Sequence, residues 1–255
     1  GSATSSSRRA PVSNARPRAC CIVSVCVAAT RSGYNWVFQT INVGWAMRYL
    51  VASFGFDIDF VFREMTSGKF DKVLLLALRT ARGFERVQKA FATLSLICTS
   101  LRVECALEPV VPDEKMLRSV YSTLLKAASE AQELELYLTG GPRMLVVALL
   151  VAALMLPREL AGKVSVVVEG EGFDCEMRVD PSVLAEKLRL DEKSARIVSA
   201  LEAGRAKLSE IAREAGLPKS TAHRRLTELM ESGLVQEVAA GVYSSKPHAT
   251  ITCRE

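Results

Sequence analysis

Leu134-Glu135-Leu136-Tyr137-Leu138-Thr139-Gly140-Gly141-Pro142-Arg143-Met144 is the stretch on which the reading of this chain turns. From Glu133 to Leu138 polar and apolar residues alternate, which is the period of a strand. Thr139-Gly140-Gly141 makes a turn. Pro142 falls where a helix begins, with φ preset and no N–H to lose. Arg143 to Leu156 is nearly all apolar and predicts a core helix buried on more than one side. A helix that starts at the end of a strand offers unpaired amides and the positive end of its dipole, which suits an anion such as phosphate. Arg143 adds a planar cationic fork. A plain glycine turn accounts for the same residues equally well. Neither of the common phosphate fingerprints, GxxxxGK followed by Ser or Thr and GxGxxG, occurs here.

The surrounding pattern favours a binding site. Arg48–Ser53 predicts a first strand, and Asp57 is placed to cap a helix over 58–66. Lys72–Leu78 is an unbroken apolar run, the mark of a central strand covered on both faces. A helix follows from Gly83 to about Ser100, with Phe84, Val87, Phe91 and Leu94 on one stripe. Arg102–Leu107 predicts a third strand, and Pro109 and Pro112 the loop after it. Asp113–Ala131 predicts a helix with Leu117, Tyr121, Leu124, Leu125 and Ala128 inward. Lys163–Val168 and Cys175–Val179 complete the set, the last as an antiparallel edge strand. Such alternation argues a doubly wound, mostly parallel sheet of Rossmann type. With strand order 3-2-1-4-5, ligands bind where the order reverses, outside the carboxyl ends of strands one and four. Two loops meet there: Ser53-Phe54-Gly55-Phe56-Asp57 and Thr139-Gly140-Gly141-Pro142-Arg143.

Residues 181–255 have a different pattern. Pro181–Leu190 is a helix-prone connector, and a helix is expected from Asp191 to Ala203. Lys207–Leu217 reads as the first helix and turn of a helix-turn-helix. The second helix runs from Pro218 or Lys219 to Glu231, with Ala222, Leu226, Leu229 and Met230 inward. Lys219, Ser220, Thr221, His223, Arg224 and Arg225 lie at its start, off that stripe, where base edges and phosphates are reached. Strands around Val235 and Val242–Ser244, turning at Ala239-Ala240-Gly241, make a small wing. A helix-turn-helix used only for packing is the competing reading. His248 is expected in a loose tail.

The net charge of +5 does not by itself argue for nucleic acid. Residues 1–46 hold five arginines and no acid, which leaves 28 basic and 28 acidic side chains from 47 onward. Gly1-Ser2 reads as a tag remnant and 3–18 as disordered. Ala19–Thr30 is an apolar run behind arginines, as in a signal peptide. The competing reading starts the folded protein at Met47, with 19–30 and 34–43 free to form an added hairpin. The seven cysteines show no zinc spacing and read as buried, reduced thiols of a cytoplasmic protein, one or two disulfides being the open alternative. No metal and no cofactor are expected. Met144–Leu156 is too short for a membrane span, which takes about 20 residues. The expected organisation is thus an extension (1–46), an α/β domain (47–180), a linker (181–190), a winged helix-turn-helix (191–245) and a tail (246–255).

This arrangement resembles the CRISPR-associated transcription regulators of archaea that join a CARF (CRISPR-associated Rossmann fold) domain to a winged helix. Tyr49-Leu50-Val51-Ala52-Ser53-Phe54-Gly55-Phe56-Asp57 looks like the first CARF motif. Tyr137-Leu138-Thr139-Gly140-Gly141-Pro142-Arg143-Met144 looks like the second. The resemblance runs from Met47 to about Ser245. It implies a homodimer that binds double-stranded DNA, a promoter or a CRISPR leader, under control of a cyclic oligoadenylate, most often cyclic tetra-adenylate, held across the two-fold axis. Ser53, Phe54, Gly55, Phe56, Thr139, Gly140, Gly141, Pro142, Arg143 and Met144 would meet that ring, and the helix after Arg143 would supply apolar contact between subunits. Some CARF proteins cleave their ligand. Ser53 and Arg143 are the candidates for such ring-nuclease chemistry, but no acid–base pair other than Asp57 lies near the motifs. A CARF-like domain serving only dimerisation is a further alternative. A nicotinamide-dependent oxidoreductase is disfavoured by the missing GxGxxG.

Overall fold

The computed structural model describes residues 47–68, 70–170, 172, 174–202, 204 and 206–253, together with Val23–Ser24 and Thr40–Ile41. The chain divides into two units, Gly1–Trp45 and Ala46–Glu255. In the first, Val23–Ser24 pairs antiparallel with Thr40–Ile41, inside the two segments from which a hairpin is expected. The disordered stretch and the signal-like reading otherwise fall outside the described residues.

Among the described residues the second unit carries ten strands: β1 (Arg48–Phe54), β2 (Lys72–Leu78), β3 (Glu104–Val110), β4 (Glu133–Tyr137), β5 (Val164–Glu169), β6 (Cys175–Val179), β7 (Ala206–Lys207), β8 (Val235–Ala239), β9 (Val242–Ser245) and β10 (Ala249–Cys253). Its helices are α1 (Asp59–Ser67), α2 (Phe84–Leu101), α3 (Met116–Glu130), α4 (Arg143–Leu154), α5 (Arg158–Ala161), α6 (Pro181–Leu188), α7 (Glu192–Glu202), α8 (Leu208–Glu214) and α9 (Lys219–Glu231).

The main sheet runs β3-β2-β1-β4-β5-β6-β10. The first five strands are parallel, in the order 3-2-1-4-5, which puts the reversal between β1 and β4. β6 and β10 close the far edge antiparallel. Alternate residues of β1 feed two cores, as the two-residue period of a strand requires. Tyr49 and Val51 join Leu136, Leu145 and Leu149 beneath α3 and α4. Leu50, Ala52 and Phe54 join Val61, Leu94 and Tyr137 beneath α1 and α2. Burial on both faces explains why β2 reads as an unbroken apolar run.

Four local expectations are corrected. β3 extends through Pro109 to Val110, because β3 is the edge of the sheet and a missing N–H costs nothing on its open side. α3 starts at Met116, since the Asp113 carboxylate accepts the amide of Lys115 at 2.8 Å and holds a turn there. That turns Met116 and Val120 inward and leaves Leu117 exposed. Four cysteines are paired, Cys98 with Cys105 and Cys175 with Cys253. Seventy-eight residues separate the second pair in sequence, but they are direct cross-strand neighbours in the sheet. Residues 249–253, expected as a tail, are the strand β10.

The winged helix is therefore entered and left at one sheet edge. The chain leaves β6 at Val179 and returns in β10 opposite the same residue, where Ala249 pairs with Val179. The Asp180 amide donates to the His248 carbonyl at 2.9 Å. α6 is no loose linker. The Asp180 carboxylate caps it through the amides of Ser182 and Val183. Val183 is buried in the core of the winged helix with Ile197, Ile211 and Leu226, while the next residue, Leu184, packs on the core of the main sheet. α7, α8 and α9 rest on the small sheet β8-β9-β7. No helix among the described residues is long and apolar enough to cross a membrane.

Candidate ligand cleft and DNA-facing helix

The two loops singled out in the sequence lie back to back. Gly141 has φ +84°, and a Cβ there would stand 2.8 Å from the Ser53 carbonyl carbon and 2.9 Å from the Phe54 nitrogen. Gly55 meets the turn from the other side at van der Waals distance, its Cβ position 3.5 Å from the Gly141 Cα. The Ser53 hydroxyl, fully buried, donates to the Gly140 carbonyl. The turn after β4 is thus fastened to the end of β1 at the point where the strand order reverses.

These residues serve two different roles. Ser53 and Phe54 are interior: Ser53 fixes the turn, and the Phe54 ring is core. Gly55, Phe56, Gly141 and Pro142 line an open cleft of about 560 Å³. Its other walls come from Asp57, Phe60, Leu78, Thr80, Gly83 and Val87. Apart from Asp57, those residues escape sequence reasoning. Phe60 lies on α1, and Leu78 to Val87 belong to the β2–α2 connection, one strand away from the reversal. Phe60 also packs under the turn, 3.3 Å from where a Gly140 Cβ would be. Thr139 points elsewhere. Its hydroxyl oxygen accepts the Glu169 amide at 2.9 Å, and the Glu169 carboxylate accepts the Tyr137 hydroxyl at 2.7 Å. Burial and this contact raise the pKa of Tyr137. The network ties the turn to β5.

Pro142 is the residue before α4, and its carbonyl accepts the amides of Leu145 and Val146. The amides of Arg143 and Met144 have no carbonyl one turn back and open the helix N-terminus. The Arg143 side chain is exposed and meets no charged partner among the described residues. α4 is apolar all round but buried on one face only. Leu145, Leu149, Ala152 and Ala153 are inside, whereas Met144, Val147, Val151 and Met155 are 58%, 60%, 36% and 52% exposed. Four large apolar residues at helical spacing thus form an uncovered stripe that starts at the cleft.

At the other end of α1 lies a buried carboxyl pair. Glu64 and Glu135 face each other, and Arg178 reaches one oxygen of Glu135 at 3.1 Å. The other Glu135 oxygen has no partner when both groups are written as carboxylates. Burial, and then the hydrogen bond to Glu135, push Glu64 up to about 8, so at neutral pH it keeps its proton and donates. From about pH 4.5 to 8 the unfolded chain has released this proton and the folded chain retains it. Stability is therefore expected to fall as pH rises through that window, by at most ~1.4 kcal/mol per unit. Chemical denaturation of Glu64→Gln across the same range should show that slope removed.

In the winged helix the expected DNA-facing residues separate. Lys219, Ser220, His223 and Arg224 are exposed at the start of α9, and Thr221 is half-buried. Arg225 turns inward. It pairs with Asp191 and Glu228, both at 2.8 Å, and locks α9 to the start of α7. Sequence position alone did not separate two adjacent arginines, because the partner Asp191 is 34 residues away. Arg224→Ala is expected to reduce the salt slope of DNA binding by about one unit with little change in stability. Arg225→Ala should lower stability by about 1 kcal/mol and act on DNA only through that loss. Salt-dependent fluorescence anisotropy beside thermal unfolding distinguishes the two. No group of His, Cys, Asp and Glu side chains suited to a metal occurs among the described residues.

A doubly wound sheet with a glycine turn fastened at its reversal point, followed by a helix-turn-helix, defines an α/β protein of Rossmann type with an appended helix-turn-helix module. The sequence model of the Csa3 CRISPR-associated Rossmann-like domain matches residues 48–180, just over half of the chain, and the chain belongs to that family. Residues 192–239 match the IclR helix-turn-helix domain. The CARF reading and the α/β-plus-helix-turn-helix architecture are thereby established. Among solved structures, Can2 from Sulfobacillus thermosulfidooxidans in complex with cyclic tetra-adenylate superposes with a TM-score of 0.40 at 13% identity. The match takes in 78% of this chain and 61% of that one, so the chain spans less than two thirds of its length. None of the curated proteins matches the chain.

Proposed function

We propose that the protein is a homodimeric, CRISPR-associated transcription regulator in which a cyclic oligoadenylate, cyclic tetra-adenylate first among them, controls binding to double-stranded DNA. The observation that carries this reading is the junction of Gly141 with Ser53–Phe54, which brings both glycine loops and the α4 N-terminus to one cleft. Its apolar walls, Phe56, Phe60, Val87 and Pro142, suit a nucleobase. The helix amides and Arg143 suit its phosphates. The uncovered stripe of α4 begins beside them, so two copies joined along it would hold a symmetric ring between their two N-termini.

A route to the DNA-binding module supports regulation. α4 begins at the cleft and is followed directly by α5, whose Arg158 donates to the Ser232 carbonyl at 2.7 Å. Ser232 is the C-cap of α9. A ligand-induced shift of α4 would thus reach the recognition helix through α5 and this hydrogen bond. Two such helices read half-sites about one DNA turn apart, so a small change in their spacing alters affinity.

The test is calorimetric titration of cyclic tetra-adenylate into residues 47–255, with the ligand recovered and chromatographed. One intact ring per dimer is expected. Linear products would make the protein a ring nuclease, with Arg143 next to the cleft wall Pro142 and Ser53 acting only by holding the turn. No binding would leave the α/β domain as a dimerisation platform.

A further inference from the structure

The two disulfides differ in what they hold. Cys98–Cys105 ties the end of α2 to β3, and Cys98 is buried in the core. Cys175–Cys253 ties β10 to β6 at the rim of the sheet, where Cys175 is half-buried and Cys253 exposed. β10 itself has little else to keep it in place. It pairs on one side only, through five residue pairs. Ala249 packs on the core, while Thr250 to Cys253 are exposed and Ile251 is 70% so. An edge strand this short, without a buried face, is marginal on its own. The bridge closes a ring that contains the whole winged helix, and it makes β10 the second attachment of that module beside α6.

We propose that Cys175–Cys253 is a redox-sensitive latch: its reduction frees β10 from the sheet edge and leaves the winged helix attached through α6 and the single exposed Arg158–Ser232 hydrogen bond. The chemistry is thiol–disulfide exchange. A thiolate of an external dithiol attacks one sulfur, the S–S bond breaks, and the second thiolate of the reductant resolves the mixed disulfide. Two electrons and two protons pass to Cys175 and Cys253, and the dithiol becomes a disulfide. The rim bridge, with Cys253 exposed, is reached before the other, whose Cys98 is buried and Cys105 half-buried. A winged helix held by β10 as well as by α6 has its orientation fixed before DNA arrives, and one held by α6 and a lone surface hydrogen bond does not, so reduction weakens DNA binding. This last step rests on the DNA-binding reading above; the release of β10 does not.

The experiment uses the full chain, oxidised or treated with graded dithiothreitol. Alkylation with mass spectrometry reports which cysteines open, and hydrogen exchange reports residues 249–253. Anisotropy of a labelled duplex of random sequence at low salt reports DNA binding. Cys175 and Cys253 should be alkylated before Cys98 and Cys105. Exchange in 249–253 should rise by about tenfold or more, and duplex affinity should fall by about fivefold. The double variant Cys175→Ser, Cys253→Ser should behave as the reduced protein with or without reductant. Protection of 249–253 that survives reduction overturns the latch. So does unchanged duplex affinity in a chain whose β10 has been freed. If neither form binds duplex while exchange still rises, the latch stands and the DNA-binding reading falls.

Discussion

Gly141→Ala is expected to lose cyclic oligoadenylate binding and about 3 kcal/mol of stability. Two costs combine. A φ of +84° is strained for any residue with a Cβ, by about 1 kcal/mol or more. The new methyl would also lie 2.8 Å from the Ser53 carbonyl carbon, and that neighbour is backbone. It cannot swing aside as a side chain would, so β1 and the turn must part, and the hydroxyl contact from Ser53 to Gly140 parts with them. Gly216→Ala is the control. Its φ is +64°, but nothing lies within 4 Å of the added carbon. It should cost only about 1 kcal/mol and leave the cleft intact. Urea denaturation and calorimetry of the two variants side by side make the comparison. Equal stability losses would mean that the turn yields freely and that the contact with Ser53 has no energetic weight.

The second large effect is expected from Val147→Glu. Val147 is the most exposed member of the α4 stripe, so the isolated chain should tolerate the change with little loss of stability. In a dimer joined along α4 the two new carboxylates would be driven together in an apolar interface, at a cost of several kcal/mol. Sedimentation should show a monomer. DNA affinity should fall by roughly a hundredfold or more, because the second half-site is no longer bound intramolecularly. A variant that still sediments as a dimer would move the interface off α4.

Much of this architecture was legible because period and position agree. β2 is an unbroken apolar run, and the parallel pairing follows from the helices between the strands. The two loops were legible because glycine and proline mark a strand-to-helix turn whatever packs around it. What the sequence concealed depends on contacts between distant residues. Thr80 and Val87 line the cleft because β2 lies beside β1, a fact of sheet order and not of motif. The inward turn of Arg225 needs Asp191. The pairing of Cys175 with Cys253 needs β10, whose five residues Ala249–Cys253 are too short a stretch to read as more than a tail until the edge of β6 is present to receive them. Ser53 was legible as a site residue but not in its role, since only the approach of Gly140 turns its hydroxyl into a fastener.

The entry and exit of the winged helix at a single sheet edge bear on how the protein can be cut. A fragment ending after β6 would hold the whole parallel sheet but lose its outermost strand, leaving the backbone amides and carbonyls of Cys175–Val179 bare and the Cys175 thiol unpaired. Such an edge recruits whatever strand is at hand, including that of another copy. The DNA-binding half, in turn, would carry β10 as an orphan. The two modules are contiguous in space but not in sequence, and a clean dissection needs two cuts with β10 rejoined to β6 by a short turn.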